Sequence, residues 1–384
     1  MDELKIGYDG KRAVNNNTGL GNYSRLVVDA LSALYPGNEY ILYAPRISDN
    51  PRLTPILGRP NVKLTGPDRP MGRKLSSLWR TAGITGQLQR DGIDIFHGLS
   101  NELPLNIASS GIPSVVTIHD IIFRFIPENY KAIDRAIYDF KFRKACDNAT
   151  RVIAVSERTK ADIVDAYGTD PSKIDVIYQG CHPQFAIRQD AATKENVRRK
   201  YGLPERYYIS VGTVETRKNQ LLALKALPAM PSDVKMVIVG RRTRYAAELD
   251  RFIASHKLAD RVIFLENVPF AELPALYAMS VFATYTSRYE GFGIPIVEAL
   301  SAGVPVVGCT GSCLEEAGGS GAIYVAPDDT DAMVDAARRL LDDSYLREKM
   351  TKAGQRHIKN FTNAEFARQT LATYNKAIVS SILP

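Results

Sequence analysis

The residues best suited to chemistry lie between Ser287 and Pro305, where two glutamates flank a glycine-containing loop. Glu290 stands before the loop Gly291-Phe292-Gly293-Ile294, and Glu298 stands after it. A carboxylate accepts hydrogen bonds and donates none, so it suits the hydroxyl groups of a sugar or a ribose. We expect the two glutamates to reach different parts of one elongated ligand. Two solvated glutamates near a helix start are the alternative.

The residues around this loop follow the order strand, loop, helix and strand. Pro295 suits the first helical turn, because its missing N–H would be unpaired there, and Gly303 suits the position just beyond the helix end. The free N–H groups and the dipole at the start of such a helix attract anions. The segment therefore predicts a site for a diphosphate in front of the helix.

A pair of basic residues, Arg217 and Lys218, follows the candidate strand that ends at Val211 and Gly212. The arginine fork can bind two phosphate oxygens, and the lysine adds a point charge. The residue types of this pair are therefore compatible with a phosphate ligand. An exposed helix cap is the alternative, since adjacent basic residues are common on protein surfaces.

The first half of the chain places two polar residues, His119 and Asp120, directly after the apolar run Ser114–Ile118. Ligand sites in open α/β sheets gather at the carboxyl ends of strands, so these two residues stand at a position typical of such sites. A hydrogen-bonded structural histidine is the alternative.

A second glycine-containing loop, with Gly19 and Gly21, precedes a predicted helix from Leu26 to Leu34. It fails as a dinucleotide-binding fingerprint, because Ser24 occupies the third glycine position. A dehydrogenase is therefore disfavoured. The loop either covers a ligand or is a plain flexible connection.

The composition narrows the class of protein. A chain of 384 residues with 45% hydrophobic and 24% charged residues suits two globular domains. No apolar run could span a bilayer and the chain opens with acids, so we expect a cytoplasmic protein. The four cysteines do not have the spacing of zinc ligands, and we interpret them as reduced residues that only fill space in the fold. The net charge of +7 suggests an anionic partner, but no motif supports nucleic acid.

Short apolar runs alternate with longer amphipathic stretches along the chain, which is typical of parallel sheets with crossover helices. The pattern predicts an α/β protein of two doubly wound domains. We place the first domain at residues 1–182, a linker at 183–204 and the second domain at 205–361. A C-terminal helix at 362–384 is expected to pack back on the first domain. Strands are predicted at Leu4–Tyr8, Tyr40–Tyr43, Val62–Leu64, Ile93–Phe96, Ser114–Ile118, Arg151–Val155, Asp175–Tyr178, Tyr207–Val211, Lys235–Val239, Arg261–Phe264, Val281–Thr284, Val304–Val307 and Ala322–Val325.

The segment from Glu290 to Glu298 resembles the E-x(7)-E signature of glycosyltransferase family 4, a family of retaining enzymes with the GT-B fold. Other segments match the family pattern in the same order, so the resemblance covers nearly all of the chain. It implies two Rossmann-like domains that face each other across a cleft, with a nucleotide-diphosphate sugar as donor. It also implies that Glu290 contacts the transferred sugar as a catalytic residue and that Glu298 contacts the ribose.

The resemblance assigns roles to the remaining positions. His119 faces the transferred sugar with Asp120 in support, and Arg217 and Lys218 bind the donor diphosphate. Cys313-Leu314-Glu315-Glu316 departs from the family, since relatives commonly carry a proline in this loop. The other donor-binding positions lie in glycine loops or act on the base through backbone groups: Gly19, Gly21, Gly212, Gly240, Val268, Gly291, Phe292, Gly293 and Ile294.

The resemblance implies transfer of a hexose to a glycan or lipid-linked acceptor in the synthesis of cell-surface polysaccharide or glycolipid. The mannosyltransferase-like branch makes mannose from GDP-mannose the first candidate. UDP-hexose and deoxyhexose donors are alternatives, as is a nucleotide-sugar epimerase of the same fold. A two-lobed sugar-binding receptor is the non-enzymatic alternative.

We expect neither a cofactor nor a metal. Many transferases hold a metal ion with a D-x-D pair, which bridges phosphate oxygens. Asp91 and Asp94 have the wrong spacing, and Asp329-Thr330-Asp331 is interpreted as the cap of a helix. Arg217, Lys218 and the free N–H groups of the glycine loop would stabilise the leaving diphosphate instead.

Two segments, residues 121–144 and 69–80, combine aromatic and basic residues. This combination suits the lipid interface of an anionic membrane. We therefore expect peripheral attachment to the inner face of the membrane through the first domain. A core helix whose aromatic side chains pack inward is the alternative.

Overall fold

The computed structural model describes residues 3–68 and 73–382 of the chain. These residues form two compact units. The first unit consists of the chain up to Gln179 together with the chain from Thr362 onwards, and the second consists of Gly180–Phe361. Each unit is built around one parallel sheet, which confirms the prediction of two doubly wound α/β domains.

The first unit contains a seven-stranded sheet in the order β3-β2-β1-β4-β5-β6-β7. The order reverses between β1 and β4, and open sheets of this kind bind ligands at the carboxyl ends of strands beside such a switch point. The strands are β1 (Lys5–Asp9), β2 (Glu39–Tyr43), β3 (Val62–Thr65), β4 (Ile95–Gly98), β5 (Ser114–Ile118), β6 (Arg151–Ala154) and β7 (Ile174–Val176).

The helices of the first unit lie between these strands in the chain, as expected for parallel pairing. They are α1 (Lys11–Asn15), α2 (Gly19–Leu34), α3 (Thr54–Leu57), α4 (Arg73–Leu78), α5 (Ile84–Arg90), α6 (Ile122–Phe125), α7 (Ala132–Asn148) and α8 (Glu157–Tyr167). A π-helical segment, Trp79–Gly83, joins α4 to α5. Strands β4 and β5 are buried along their whole length, because parallel sheets are covered on both faces.

The second unit contains a six-stranded sheet in the order β10-β9-β8-β11-β12-β13. Its strands are β8 (Tyr207–Val211), β9 (Lys235–Val239), β10 (Val262–Leu265), β11 (Ala283–Tyr285), β12 (Val306–Cys309) and β13 (Ala322–Val325). Its helices are α9 (Ala191–Tyr201), α10 (Gln220–Lys225), α11 (Ala246–Ser255), α12 (Leu273–Ala278), α13 (Ile294–Ser301), α14 (Leu314–Gly318), α15 (Thr330–Asp342) and α16 (Ser344–His357). The switch point of this sheet lies between β8 and β11.

Several element bounds differ from the prediction. The strand predicted from Val304 begins at Val306, although Val304 is buried. The buried segment begins two residues before the strand that pairs with its neighbours. The apolar pattern of a sequence indicates burial and not backbone pairing. The helix predicted from Leu26 begins at Gly19, so both glycines of that segment lie inside α2 instead of in a loop.

Residues 183–204, which the sequence analysis assigns to a linker, belong to the second unit. Phe185 is buried, and its ring lies 5.7 Å from the ring of Phe270. Helix α9 is tied to the start of α12, since Lys200 Nζ lies 2.6 Å from Glu272 Oε1. The linker prediction is therefore wrong, because the glycines and prolines that suggested a hinge flank a packed helix.

Helix α17 (Asn363–Ile382) belongs to the first unit and packs on α2. The ring of Phe366 lies 5.8 Å from the ring of Tyr23. Tyr374 is fully buried, and its hydroxyl lies 2.7 Å from His97 Nδ1. This last helix thus completes the core of the unit that begins with β1.

The aromatic residues of segment 121–144 divide between core and surface. Phe123 and Phe142 are buried, whereas Phe125, Tyr138 and Phe140 are exposed. The core alternative therefore holds for Phe123 and Phe142, whereas for the exposed rings the membrane interface stays a prediction.

In the second predicted membrane segment, 69–80, the described aromatic and basic side chains, Trp79 and Arg80, do not form an exposed surface. Residues 69–72 lie outside the described residues, Trp79 is buried, and Arg80 is held in ion pairs. The surface prediction for this segment is therefore wrong at Trp79 and Arg80, because tertiary contacts bury both. Within the described residues, no helix combines the length and apolar character needed to cross a membrane.

Candidate active site

The candidate site of the second unit lies at the carboxyl ends of two neighbouring strands, β8 and β11. After β8 the chain passes Gly212 and forms a short 3-10 helix, Thr216–Lys218. After β11 it passes Glu290 and the glycine loop and enters α13. The switch point of the sheet therefore brings together two predicted segments that are far apart in sequence.

Glu290, Arg217 and Lys218 form one ion-paired cluster. Glu290 Oε1 lies 2.6 Å from Arg217 Nη1 and 2.6 Å from Lys218 Nζ. The side chains are only 12%, 18% and 14% exposed, respectively. The glutamate that we predicted to contact the sugar is thus in direct contact with the cations that we predicted to bind diphosphate.

Neighbouring groups fix the two cations in place. Arg217 Nη1 donates to the carbonyl oxygen of Tyr289 at 3.1 Å, and Nη2 donates to Glu215 Oε1 at 2.7 Å. Lys218 Nζ donates to the hydroxyl oxygen of Tyr285 at 2.5 Å. Tyr285 was missed by the sequence analysis, because an aromatic residue at the end of a buried strand gives the same signal as a core residue.

The charge state of Glu290 follows from this cluster. Burial by itself would raise the pKa of Glu290, but the positive charges of Lys218 and Arg217 outweigh it and lower the pKa to about 2. Glu290 is therefore ionised at neutral pH. Its charge partly neutralises the two cations before any ligand binds.

Helix α13 has the start that the sequence predicted. It begins directly after Gly293, whose φ of 128° favours glycine, and Pro295 lies in its first turn. Gly303, with φ of 79°, lies just beyond its end. The side chain of Phe292 is buried against Phe361, with ring centroids 5.5 Å apart, so Phe292 offers a ligand only its backbone.

Cys313 holds the glycine loop in place. Its sulfur lies 2.8 Å from the carbonyl oxygen of Phe292 and 3.1 Å from that of Glu290, so both oxygens are acceptors within reach of its single S–H proton. Burial raises the pKa of the Cys313 thiol, which keeps the proton on sulfur. The interpretation of every cysteine as filler is therefore wrong here. A buried thiol that donates and one that only packs give the same sequence signal.

Glu298 lies on α13 and is half-buried. The Tyr277 hydroxyl donates to Glu298 Oε2 at 3.4 Å. Burial raises the pKa of Glu298 to about 8, because desolvation disfavours the charged form. At neutral pH in the free protein, Glu290 is therefore ionised, whereas Glu298 is mainly protonated and neutral.

The predicted base-site positions, Gly240 and Val268, follow β9 and β10. A Cβ atom on Gly240 would lie 2.1 Å from the carbonyl oxygen of Gly212, so only glycine fits between these strand ends. Gly240 is thereby packed against the β8 end of the site. Val268 is half-buried and follows the edge strand β10, farther from the switch point.

In the first unit, His119 directly follows β5 and is buried. Its Nε2 lies 2.9 Å from the carbonyl oxygen of Leu99, which can only accept, so Nε2 carries the proton. Burial lowers the pKa of His119 to about 4, and the ring is neutral at neutral pH. Nδ1 is then a hydrogen-bond acceptor. Asp120 is half-buried, and its Oδ1 accepts from the N–H of Ile122 at 3.1 Å.

The first turns of α2 lie close to His119. The ring of Tyr23 meets the imidazole edge-on, with centroids 4.5 Å apart. A Cβ atom on Gly21 would lie 1.8 Å from the carbonyl oxygen of Asn16, whereas one on Gly19 would meet no atom within 4 Å. Gly21 is therefore needed for the packing of its own segment, and Gly19 is sterically open. Tyr23 gave no signal in the sequence beyond that of a core aromatic.

Comparison with known proteins decides the family. The model described as Glycosyltransferase Family 4 matches residues 18–185, and the model for Glycosyl transferases group 1 matches residues 193–357. O-antigen chain mannosyltransferase B of Escherichia coli is 30% identical over 286 residues, which cover 73% of this chain and 74% of that protein. This chain belongs to glycosyltransferase family 4.

Further similarities agree with membership of family 4. The O-antigen chain mannosyltransferase RfbU of Salmonella typhimurium is 30% identical over 234 residues. The matched residues cover 60% of this chain and 62% of RfbU. The Anabaena protein HepE, solved in complex with UDP and glucose, superposes with a TM-score of 0.75 at 19% identity, covering 97% of the glycosyltransferase and 99% of HepE. This structural likeness shows that the glycosyltransferase has the GT-B fold.

The D-x-D triplet of the glycosyltransferase lies at a helix start. Asp329 Oδ1 accepts from the N–H of Ala332 at 2.9 Å and so caps α15. The neighbouring Asp328 is exposed and pairs with Arg288, Oδ2 lying 2.9 Å from Nη1. The interpretation of the triplet as a cap agrees with this geometry.

Proposed function

We propose that this family 4 enzyme transfers a hexose, with retention of anomeric configuration, from a nucleoside-diphosphate donor to a glycan or lipid-linked acceptor. The observation that carries this proposal is the contact of Glu290 with Arg217 and Lys218 in front of the glycine loop. This arrangement supplies two fixed cations for a diphosphate and one ionised carboxylate for sugar hydroxyls.

Mannose from GDP-mannose is the donor that we put first, because two relatives at 30% identity carry the name of O-antigen mannosyltransferases. The acceptor would then belong to cell-surface polysaccharide synthesis. UDP-hexose is the second candidate, supported by the UDP and glucose bound to HepE, a protein of the same fold.

The donor diphosphate would take the place of the Glu290 carboxylate on the two cations. Arg217 can fork onto two phosphate oxygens and Lys218 can contact a third, while the N–H groups at the start of α13 favour negative charge. The displaced carboxylate would then be free to accept hydrogen bonds from the transferred sugar. The neutral ring of His119 offers Nδ1 as an acceptor for a sugar hydroxyl.

We further propose that the reaction needs no divalent metal. The leaving diphosphate gains negative charge as the bond to the sugar breaks, and this charge must be stabilised. Arg217 and Lys218 are fixed by Tyr289, Glu215 and Tyr285, so they need little rearrangement during the reaction. Fixed charges of this kind stabilise a transition state without a metal ion.

We also propose cytoplasmic location with attachment to the inner membrane face through the first unit. The supporting observation is the exposure of apolar side chains on α7, where Ile133, Ile137 and Phe140 are 69%, 45% and 53% exposed. Exposed Lys131 and Lys144 lie on the same segment. Apolar and basic side chains together suit the surface of an anionic bilayer.

A thermal-shift series with GDP, UDP, GDP-mannose and UDP-glucose tests the donor site, since a ligand that binds only the native state raises the melting temperature. We expect GDP and GDP-mannose to give the largest shifts and Arg217→Ala to abolish them. Arg206→Ala, which removes an exposed arginine paired with Asp233 in the same unit, is the matched control and should leave the shifts unchanged.

Product analysis with the nucleotide sugars separates the alternatives. Release of nucleoside diphosphate with transfer of the sugar supports the proposed function. Accumulation of an epimerised nucleotide sugar would identify an epimerase, and binding without turnover would favour a receptor.

A further inference from the structure

Tyr285 is the last residue of β11 and lies beside the cations of the proposed diphosphate site. Its side chain is buried, and its hydroxyl oxygen lies 2.5 Å from Lys218 Nζ. An ammonium group donates hydrogen bonds and accepts none, so the hydroxyl oxygen is the acceptor in this contact. The hydroxyl proton of Tyr285 therefore points to a different group.

The acceptor beside this proton is the carboxylate of Glu290. Burial and the negative charge of Glu290 raise the pKa of Tyr285 well above its ordinary value, so the hydroxyl keeps its proton at neutral pH. Glu290 Oε1 also lies 2.6 Å from Lys218 Nζ. In the free protein, the Tyr285 hydroxyl thus accepts from the ammonium group and faces the carboxylate with its proton.

The main chain that carries Tyr285 is tied to the main chain that carries Lys218. Thr286 follows Tyr285 and is 1% exposed, and its hydroxyl donates to the carbonyl oxygen of Asn219 at 2.8 Å. This hydrogen bond does not involve the side chain of Glu290. The Tyr285 hydroxyl and the Lys218 ammonium group are therefore held beside each other independently of the carboxylate.

The charges of the cluster make an uncharged donor useful. In the free protein, the two cations are balanced by Glu215 and Glu290. Under the proposed function, a diphosphate reaches Arg217 and Lys218 only when Glu290 gives way, whereas the Tyr285 hydroxyl has no counter-ion to give up. A diphosphate oxygen that replaces the carboxylate on Lys218 would lie in front of the same hydroxyl proton.

We propose that Tyr285 is a further donor-binding residue, which holds Lys218 in place and donates a hydrogen bond to the diphosphate oxygen that replaces Glu290. The O–H bond stays intact, and only the acceptor of the hydrogen bond changes. The proposal rests on the proposed glycosyltransferase function and adds an uncharged contact to its donor site. Hydrogen bonds to ionised groups are about twice as strong as those between neutral groups, so the contact contributes to donor affinity.

Tyr285→Phe removes the hydroxyl and keeps the ring in its buried position. We expect the dissociation constants for GDP and for inorganic pyrophosphate, measured by calorimetry, to rise about 10- to 100-fold. Tyr208→Phe is the matched control, because the Tyr208 hydroxyl is also buried and donates to the carbonyl oxygen of Ala223 at 2.9 Å. The control should bind both ligands as the unsubstituted protein does. Unchanged pyrophosphate affinity in Tyr285→Phe overturns the proposal.

Phosphorus NMR at saturating GDP separates a contact with the diphosphate from a general disturbance of the fold. The β-phosphorus resonance of bound GDP should shift in Tyr285→Phe and should stay in place in Tyr208→Phe. A resonance that is unchanged in Tyr285→Phe, or that shifts equally in both variants, overturns the proposed contact.

The same measurements separate the role of Tyr285 from the proposed function. If the unsubstituted protein binds GDP, UDP or pyrophosphate and Tyr285→Phe binds them equally well, only the assignment of Tyr285 fails. If the unsubstituted protein binds none of these ligands, the proposed donor site fails and the assignment of Tyr285 fails with it.

Discussion

Glu290 Oε1 lies 2.6 Å from Lys218 Nζ, although 72 positions separate the two residues in the chain. Arg217 contacts the same carboxylate oxygen. In the free protein, the two cations of the proposed diphosphate site are therefore paired with a group of the protein itself. Under the proposed function, a diphosphate would exchange with this carboxylate, and the exchange would couple donor binding to the release of Glu290.

Glu290→Gln is expected to separate nucleotide binding from transfer. The substitution removes the charge that competes for the two cations, so GDP should bind about tenfold more tightly, while transfer should fall by about a hundredfold or more. The free variant should also be less stable, because Lys218 loses its ion-pair partner and Arg217 keeps only the pair with Glu215. Calorimetry with GDP and initial rates of transfer measure the two effects.

Glu215→Gln is the matched control for this prediction, since Glu215 also pairs with Arg217 but is 35% exposed. It should change both quantities far less than Glu290→Gln does. A parallel loss of GDP affinity and transfer in Glu290→Gln would contradict the exchange.

Arg217→Ala should weaken donor binding and reduce transfer by about a hundredfold or more, because one fixed donor to the leaving diphosphate is lost. Arg217→Lys should recover only part of the activity, since lysine keeps the charge but lacks the fork. Steady-state rates at saturating donor measure both variants. Full activity in Arg217→Lys would show that a point charge suffices.

Glu298→Gln should change how stability depends on pH. The pKa of Glu298 is raised by burial to about 8 from an ordinary value of 4.5, so the native state holds an extra proton between these values. This contribution to stability is complete at acidic pH and is lost as the pH rises through about 8. The variant cannot lose that proton. We expect it to gain stability relative to the unsubstituted protein as the pH is raised.

Urea unfolding at several pH values measures this difference. Tyr277→Phe is a useful second variant, because Tyr277 donates to Glu298 and its loss leaves the carboxyl group in place. It should retain the pH dependence. A free-energy difference between Glu298→Gln and the unsubstituted protein that is constant with pH would show that Glu298 is ionised in the native state.

Tyr374→Phe should destabilise the first unit by about 1–3 kcal/mol, because it leaves a buried polar group of His97 without its partner. His97 Nε2 lies 2.8 Å from Thr117 Oγ1, which lies 3.0 Å from the Tyr23 hydroxyl. The lost contact thus belongs to a hydrogen-bond network that extends to Tyr23, whose ring contacts His119. Denaturant unfolding measures the cost, and Tyr345→Phe, at a position 75% exposed, should have no effect.

Removal of divalent metal should leave transfer intact. The proposed site stabilises the leaving diphosphate with Arg217, Lys218 and backbone N–H groups. Rates measured after dialysis against EDTA should match those measured with added magnesium or manganese. Loss of activity in EDTA and its recovery with either metal would contradict this account.

The residue pattern was sufficient to predict the two parallel sheets and the loop that precedes α13. Alternating apolar runs record burial along consecutive residues, and parallel sheets bury whole strands. The glycine loop could also be predicted, because Gly293 and Gly303 have backbone conformations that favour glycine and Pro295 suits the first turn of a helix. The strand bounds were less certain, since burial extends beyond backbone pairing.

The tertiary structure alone decided which of these residues meet. The pairing of Glu290 with Arg217 and Lys218 depends on β8 lying beside β11, and strand order leaves no local mark in the sequence. The same reason explains why Trp79 and Cys313 were misjudged, since burial and a thiol hydrogen bond arise from distant segments. The charge states of Glu290 and Glu298 also required the tertiary structure, because a pKa depends on the neighbouring charges and on the burial that folding produces.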